Sequence, residues 1–223
     1  MKRNSVFAVI LACVLCLITG CTSTSNVPPP TIEPTPVVTV QPTESPTETP
    51  VSELTVHFID VGQADAAVLQ CGDDTMMIDG GNVADSSLIV AYLKKLNIDN
   101  IDYMVCTHAH EDHVGGLSAP LSVMPVSAVY APSAEADSKA YQNFKRKAAD
   151  QNTEIMHPEN YESFPFGSAR VEILACPDNA DNLNNTSIIL KVTHKNKSFL
   201  FTGDAEREEE QTLLDRGLLK SDV

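Results

Sequence analysis

The chain has 223 residues, 43% of them hydrophobic, and its 30 acidic against 15 basic residues give a formal net charge of -15. A surface of that sign repels polyanions at long range, which argues against tight, sequence-independent binding to nucleic acid. The first fifty residues lack the composition of a globular core. The length therefore predicts one domain of about 170 residues.

The N-terminus has the pattern of a bacterial secretion signal. Lys2 and Arg3 precede an uncharged apolar run over residues 6–18, which is shorter than the ~20 residues needed to span a bilayer. The run ends in "LITGC", which resembles a lipobox, where the signal is removed before a cysteine that is then lipidated. The pattern predicts a signal peptide over 1–20 and a lipid anchor on Cys21, which would place the protein on the extracellular face of the cytoplasmic membrane.

Residues 21–53 have the composition of a tether. They contain eight of the fourteen prolines, four glutamates and no lysine or arginine. Proline removes backbone donors and favours polyproline II, so this segment predicts a semi-rigid spacer. Removal of residues 1–20 would take away two positive charges and leave a net charge of -17. Three cysteines would then remain beside the lipidated one, each after apolar residues that predict a core position: Cys71, Cys106 and Cys176.

From residue 54 to 223 the hydrophobic pattern predicts strands and helices in mixed order. Three strands in "ELTVHFIDV" and "DAAVLQCGDDTMMIDGG" precede a helix in "SSLIVAYLKKLNI". Then come a strand ("IDYMVCT"), a helix ("VGGLSAPLSV"), a strand ("VSAVYA"), a helix over Asp137 to Asp150, a strand ("ARVEILAC"), a hairpin turning at "THKN" and an acidic helix ("DAEREEEQTLLDRG"). This order predicts a layered α/β fold with helices outside the sheets.

The stretch "CTHAHEDHVGG" concentrates potential metal ligands directly after a predicted strand. It holds three of the six histidines and two carboxylates within six consecutive residues. Neutral imidazole is the commonest protein ligand, and a carboxylate adds negative charge and can bridge two cations. The cluster predicts a two-metal site with His108, His110, Asp112 and His113 as candidate ligands. The isolated histidines are expected to be solvated or hydrogen-bonded: His57, His157 and His194, the last in the hairpin turn.

These residues resemble a known family. "THAHEDHVGGL" is similar to the HxHxDH motif of the metallo-β-lactamase fold superfamily, and the resemblance implies that family's αβ/βα layered sandwich. It also implies that His108 and His110 bind one metal, that Asp112 and His113 bind a second, and that Asp204 in "FLFTGDAE" bridges them. Asp79 in "MMIDGG" would orient the histidine ligands by hydrogen bonding. Glycines 80 and 81 would allow a tight backbone turn beside the metals.

Further motifs resemble one branch of that superfamily, which contains the metallo-hydrolase domain of the competence protein ComEC. They are "HFIDVGQADAAVLQ", "NNTSIILKV" and "FLFTGDAE", and the resemblance runs from about Leu54 to the last residue. It implies hydrolysis of phosphodiesters, either DNA or small or cell-surface phosphodiesters. The branch continues beyond "LLKSDV" to a "GHHGS"-like motif that supplies another histidine ligand, so the resemblance implies that a C-terminal part of the domain is missing here.

The "NNTS" stretch stands where many members of the superfamily carry a further histidine ligand. Asn185 and Ser187 in this stretch are candidates for hydrogen bonds to substrate, and a turn at the start of a strand is their alternative role.

The sequence thus predicts a surface-anchored hydrolase in which two divalent cations, zinc or manganese, activate a hydroxide that Asp112 and Asp204 tune. A phosphodiesterase or nuclease is favoured, with the acidic surface weighing more against long DNA than against small phosphodiesters. A lactamase or lactonase-type hydrolase is one alternative. A non-catalytic lipoprotein that binds metal or a partner is the other, and the sequence identifies no protein partner.

Overall fold

The structure is a computed structural model that describes residues 51–178 and 180–223. The predicted signal peptide, the lipidation site Cys21 and all but the last three residues of the predicted tether lie outside the described residues. Within the described part, no helix combines the length and apolar character required to cross a lipid bilayer.

The larger sheet has six strands, which follow one another across the sheet in chain order. The first three strands pair antiparallel, and the third to the sixth pair parallel. The strands are β1 Leu54–Phe58, β2 Ala67–Cys71, β3 Asp74–Ile78, β4 Ile101–Val105, β5 Val126–Tyr130 and β6 Ile155–Met156. Sequence analysis did not predict β6, because a strand of two residues is too short to show a hydrophobic period.

The smaller sheet is antiparallel, with the strand order β10-β9-β8-β7. Its strands are β7 Ser163–Phe166, β8 Ala169–Ala175, β9 Ile189–His194 and β10 Lys197–Phe201. The edge strand β7 was not predicted, since its proline at position 165 argues against a strand and is tolerated only at a sheet edge. The β9–β10 turn is tighter than "THKN" suggested, and the expected turn residue His194 is instead the buried last residue of β9.

Five α-helices cover the outer faces of the described domain: α1 Ser86–Lys95, α2 Glu111–Val114, α3 Pro120–Val123, α4 Lys139–Asp150 and α5 Arg207–Asp215. The helix expected over "VGGLSAPLSV" is interrupted. It consists of the end of α2, a 3-10 helix over Gly115–Ser118, and α3. Two glycines and Pro120 explain the interruption, because glycine weakens a helix and proline starts a new one.

The elements stack in four layers, which confirms the predicted layered α/β fold. One core lies between the six-stranded sheet and helices α1 to α4, and includes Val68, Leu93 and Phe144. A second core lies between the two sheets, and a third beneath α5, where Leu213 packs. Neighbouring side chains of β2 pack into different cores, because successive side chains of a strand point to opposite faces of the sheet. The three described cysteines are buried and free, as predicted.

Strand pairing places several loops at one edge of the larger sheet. Phe58 pairs with Ala67, Ala67 with Ile78, and Ile78 with Val105. This row marks the end of β1, the start of β2 and the ends of β3 and β4. The β1–β2 loop, the segment after β3 and the segment after β4 therefore emerge side by side.

The smaller sheet meets the same edge. The backbone N–H of Ile188, just before β9, donates to the carbonyl of Thr107 at 2.9 Å. Since β9 begins where β10 ends, the segment after β10 also reaches this place. All the loops that carry the predicted ligands are thus brought together by the pairing of the strands.

Candidate metal centre

Potential ligand atoms converge at this edge in two groups that share Asp204. His108, His110 and Asp204 each offer an atom within 4.8 Å of the others, and so do Asp65, His113 and Asp204. Nε2 of His113 lies 3.2 Å from the Asp204 carboxylate, and Nε2 of His108 lies 3.9 Å from it. The structure therefore brings together four of the five predicted ligands and adds Asp65.

Asp79 is buried behind the histidines, where its carboxylate has three partners. It accepts hydrogen bonds from the backbone N–H of Thr107 at 2.8 Å and from the Thr107 hydroxyl at 2.6 Å. It also lies 2.8 Å from Nδ1 of His113. Because Nδ1 faces Asp79, the opposite nitrogen of His113 is directed towards Asp204, which is the arrangement that a metal-binding histidine requires.

His108 is oriented by a weaker partner. Its Nδ1 lies 3.2 Å from the Thr107 hydroxyl, and its Nε2 lies 3.1 Å from Nδ1 of His110. His108 is fully buried, and its ring is 4.2 Å from the ring of His113, measured between centroids. Asp79 thus supports His113 directly and His108 through one hydroxyl group.

The two buried histidines have opposite shifts in pKa. Burial lowers the pKa of His108 to about 4, and the neighbouring His113 adds to this effect. Burial also opposes protonation of His113, but the hydrogen bond and charge of Asp79, with the charges of Asp204 and Asp112, outweigh it and raise the pKa to about 9. Without a metal, His108 is a neutral ligand and His113 holds a proton that a cation must displace.

Close contact between two glycine-containing segments fixes the position of the histidine loop. Gly80 donates its N–H to the carbonyl of His113 at 2.8 Å, and Gly116 donates to the carbonyl of Gly81 at 3.0 Å. A Cβ atom on Gly116 would lie 2.0 Å from the carbonyl oxygen of Gly80. Glycine is required here because any side chain would force the two segments apart.

The structure places the Asp112 carboxylate outside both ligand groups. The Asp112 carboxylate accepts a hydrogen bond from Nε2 of Gln63 at 2.9 Å. Gln63 and Asp65 belong to the same β1–β2 loop, so the Asp112 side chain contacts a residue two positions before the added ligand candidate. Sequence analysis did not single out Asp65, because a lone aspartate in a loop carries no ligand spacing. The feature that could have identified Asp65 is the strand pairing, which places the β1–β2 loop at the same sheet edge as the histidines.

Asn185 and Ser187 are buried and hold the loop that carries Asp204. The hydroxyl of Ser187 accepts from the backbone N–H of Asp204 at 3.2 Å. The side-chain oxygen of Asn185 accepts from the backbone N–H of Glu206 at 2.8 Å. Both contacts are made to protein backbone, which fits the alternative role in a structural turn.

A cavity of about 240 Å³ opens beside the ligand groups. Asp65, Asp79 and Gly203 form its polar side. Its apolar side includes Phe58 and Phe201 at the ends of β1 and β10, whose rings stack with centroids 6.0 Å apart. The cavity gives a ligand at the centre an adjoining apolar surface.

Two packed sheets with outer helices, and histidine and carboxylate ligands in loops at one sheet edge, define a metallo-hydrolase type of fold. The chain belongs to the Metallo-beta-lactamase superfamily, whose sequence profile matches residues 59–172. Membership in this superfamily implies divalent metal ions, typically zinc, and the nitrogen- and oxygen-rich donor set described above fits them.

The chain is similar to ComE operon protein 3 of Bacillus subtilis (strain 168). The two are 24% identical over 183 residues, which make up 73% of this chain and 24% of the relative. The chain thus spans about a quarter of the length of this relative.

The chain is also similar to several solved structures. The diiron beta-hydroxylase CmlA of Streptomyces venezuelae aligns with a TM-score of 0.49 and 18% identity, over 78% of this chain and 34% of CmlA. A metallo-beta-lactamase with a HARLDQ motif from Cronobacter sakazakii aligns with a TM-score of 0.48 and 18% identity, over 66% of this chain and 58% of the other. The metallo-beta-lactamase fold protein YhfI of Bacillus subtilis aligns with a TM-score of 0.46 and 15% identity, over 67% of this chain and 61% of YhfI.

Proposed function

We propose that the protein is a metal-dependent phosphodiesterase that acts outside the cell from a lipid anchor on Cys21. The observation that carries the catalytic part is the pair of ligand groups that share Asp204. Two adjacent cation positions with one common carboxylate suit the hydrolysis of a phosphodiester, in which charge develops on both the attacking and the leaving oxygen. The ComEC-like motifs around β1, β9 and β10 support the choice of a phosphodiester.

The residues of the centre have separate tasks in this reaction. Cations bound there would supply Lewis acidity to a phosphoryl oxygen and to an attacking water. Asp204 would hold both positions at a fixed separation, and Asp79 would keep Nε2 of His113 directed at the centre. Zinc suits the group with two histidines, whereas manganese suits the group with two carboxylates.

The charge and the cavity favour a small phosphodiester over long DNA. The net charge of -15 opposes the approach of a polyanion. The cavity of about 240 Å³ beside the centre is smaller than the roughly 300–1,000 Å³ of sites that enclose drug-sized ligands. A substrate with one modest apolar group next to its phosphate fits both features.

The activity can be tested with purified protein stripped by a chelator and reloaded with zinc or manganese. We expect cleavage of bis-p-nitrophenyl phosphate in both loaded forms, slower cleavage of single-stranded DNA, and none in the stripped form. Hydrolysis of a β-lactam or lactone without any phosphodiester cleavage would instead identify the lactamase or lactonase alternative. Failure to retain metal after dialysis would favour a non-catalytic lipoprotein.

The anchor has its own test. Cys21→Ser should release the protein from membranes or leave the signal uncleaved, because no other acceptor for the lipid is present at that junction. Unchanged membrane fractionation and gel migration of the variant would show that Cys21 carries no lipid.

A further inference from the structure

The β1–β2 loop carries a carboxylate that the HxHxDH motif does not contain. Asp65 offers an oxygen within 4.8 Å of the ligand atoms of His113 and Asp204. We propose that Asp65 is a direct ligand of the cation that His113 and Asp204 hold. This inference rests on the proposed metal-dependent function and assigns one of its ligands.

The backbone of Asp65 is fixed on both sides by the loops of the centre. Its N–H donates to the carbonyl of Asp112 at 3.2 Å, and its carbonyl accepts from the N–H of Gly81 at 2.8 Å. The main chain is thus tied to the histidine loop and to the segment after β3. Rigid placement of this kind keeps the loss of entropy on metal binding small, because only the side chain must be ordered.

The charges around Asp65 favour a cation. The charged groups that act on its carboxylate are one histidine, His113, and three aspartates. Among the salt bridges of the described ranges, none joins Asp65 to a lysine or arginine. Two carboxylates within 4.8 Å of each other, Asp65 and Asp204, repel one another unless a positive charge lies between them.

Asp112 contacts the loop that carries Asp65. Its carboxylate is engaged by the side-chain amide of Gln63 at 2.9 Å, and its carbonyl accepts from Asp65. Both contacts reach the β1–β2 loop. Asp112 thus helps to hold the loop in which Asp65 presents its carboxylate.

The inference can be tested by metal binding to the purified full chain, without reference to turnover. Calorimetric titration with Mn²⁺ and Zn²⁺ would be compared for the parent, Asp65→Asn and the control Asp73→Asn. Asp73 is an exposed aspartate in the β2–β3 turn, so the control removes the same charge away from the centre. We expect Asp65→Asn to lower the binding affinity for one equivalent of metal by at least about tenfold. The affinity for the other equivalent should stay within about twofold of that of the parent.

The variant Asp65→Ser serves as a second test, since it also lacks a carboxylate and retains both backbone hydrogen bonds. Thermal unfolding of each metal-free variant checks that the fold is kept. If both variants fold and bind both equivalents as the parent does, Asp65 is not a ligand. If the parent itself binds no metal, the proposed function fails and the assignment of Asp65 fails with it.

Discussion

The two buried histidines of the centre come from one loop but are supported in different ways. His113 faces the carboxylate of Asp79, whereas His108 faces the hydroxyl of Thr107. Both rings are buried to the same degree. The direction of their pKa shifts is nevertheless opposite, so the partner behind the ring, and not burial, decides which histidine is the stronger base.

This difference extends to the composition of the two ligand groups. The group around His108 contains a second histidine, while the group around His113 contains a second carboxylate. A nitrogen-rich group with one carboxylate and an oxygen-rich group with two carboxylates have different metal preferences. We therefore expect two unequal metal sites, and the following experiments separate them.

Replacement of the shared ligand should have the largest effect, because it removes the one feature that the two groups have in common. Asp204→Asn should lower the binding affinity for both equivalents of metal by at least about a hundredfold and abolish phosphodiester cleavage. The backbone bond from residue 204 to Ser187 remains, so the fold should be kept. Metal content after dialysis, measured alongside circular dichroism, checks this. Retention of both ions would show that Asp204 is not shared.

Replacement of the supporting partners should affect the two groups unequally. Asp79→Asn removes the negative charge behind His113 and should lower the metal affinity of the group around His113 by roughly 10- to 100-fold. Thr107→Val is the matched change behind His108 and should act mainly on the other equivalent. Titration calorimetry of both variants provides the measurement. Equal losses at both equivalents in both variants would mean that the groups are not independent.

The charged state of His113 predicts how the stability of metal-free protein depends on pH. A folded pKa of about 9, above the ordinary histidine value of 6.5, adds stability that is complete below pH 6.5 and is lost as pH rises to 9. The lowered pKa of His108, about 4, destabilises the fold as pH falls below 6.5. In the presence of chelator, the melting temperature should fall by several degrees between pH 6.5 and 9.

The Asp79→Asn variant is the control for this profile, because it lacks the charge that raises the pKa of His113. Its melting temperature should be nearly flat over the same interval of pH. A parent profile that rises from pH 6.5 to 9 would contradict the assignment of a proton to His113.

A smaller effect is expected for the loop that holds Asp204. Ser187→Ala removes the acceptor for the N–H of Asp204 and should cost about 1 kcal/mol of stability and a few-fold in metal affinity. If Ser187 and Asn185 contacted substrate, as the sequence suggested, substitution would raise KM and leave metal affinity unchanged. Steady-state kinetics with bis-p-nitrophenyl phosphate, combined with metal titration, distinguishes the two roles.

His194→Ala should have the smallest effect on the centre and a clear effect on the fold. Nε2 of His194 lies 2.8 Å from the carbonyl of Ser52, and the ring is buried at the end of β9. Loss of this contact should cost about 1–3 kcal/mol of unfolding free energy without altering metal affinity. Denaturant unfolding and metal titration of the variant check both parts. A change in metal affinity would mean that β9 transmits strain to the centre.

The sequence allowed the layered fold and most of the candidate ligands to be predicted, since these depend on local patterns. The hydrophobic pattern predicted β1, β2, β3 and β8, and the ligand spacing from His108 to His113 lies in one continuous segment. The interrupted helix at Gly115 and Pro120, and the short strand β6, depend on local packing that overrides a simple period. Gly115 and Pro120 account for the interrupted helix, and the length of two residues accounts for the strand that was not predicted.

Contacts between distant segments were harder to predict. Asp65 reaches the centre only because β1 and β2 pair in the register that sets Phe58 opposite Ala67. The direction of the Asp112 side chain depends on Gln63, which lies 49 residues earlier in the chain. Neither fact follows from spacing along the sequence. A prediction would have required the pairing of the whole sheet.

The position of Asp204 makes the stability of the domain depend on metal binding at the centre. Asp204 follows a strand of the smaller sheet, whereas the histidines follow a strand of the larger sheet. The backbone hydrogen bond from Ile188 to Thr107 joins the two sheets close to these ligands. A cation held by both would cross-link the two sheets in the way that a disulfide joins two segments. At a free metal concentration a hundredfold above Kd, such a ligand adds about 2.7 kcal/mol to the free energy of unfolding. The resistance of the domain to proteases would then increase with the concentration of available metal.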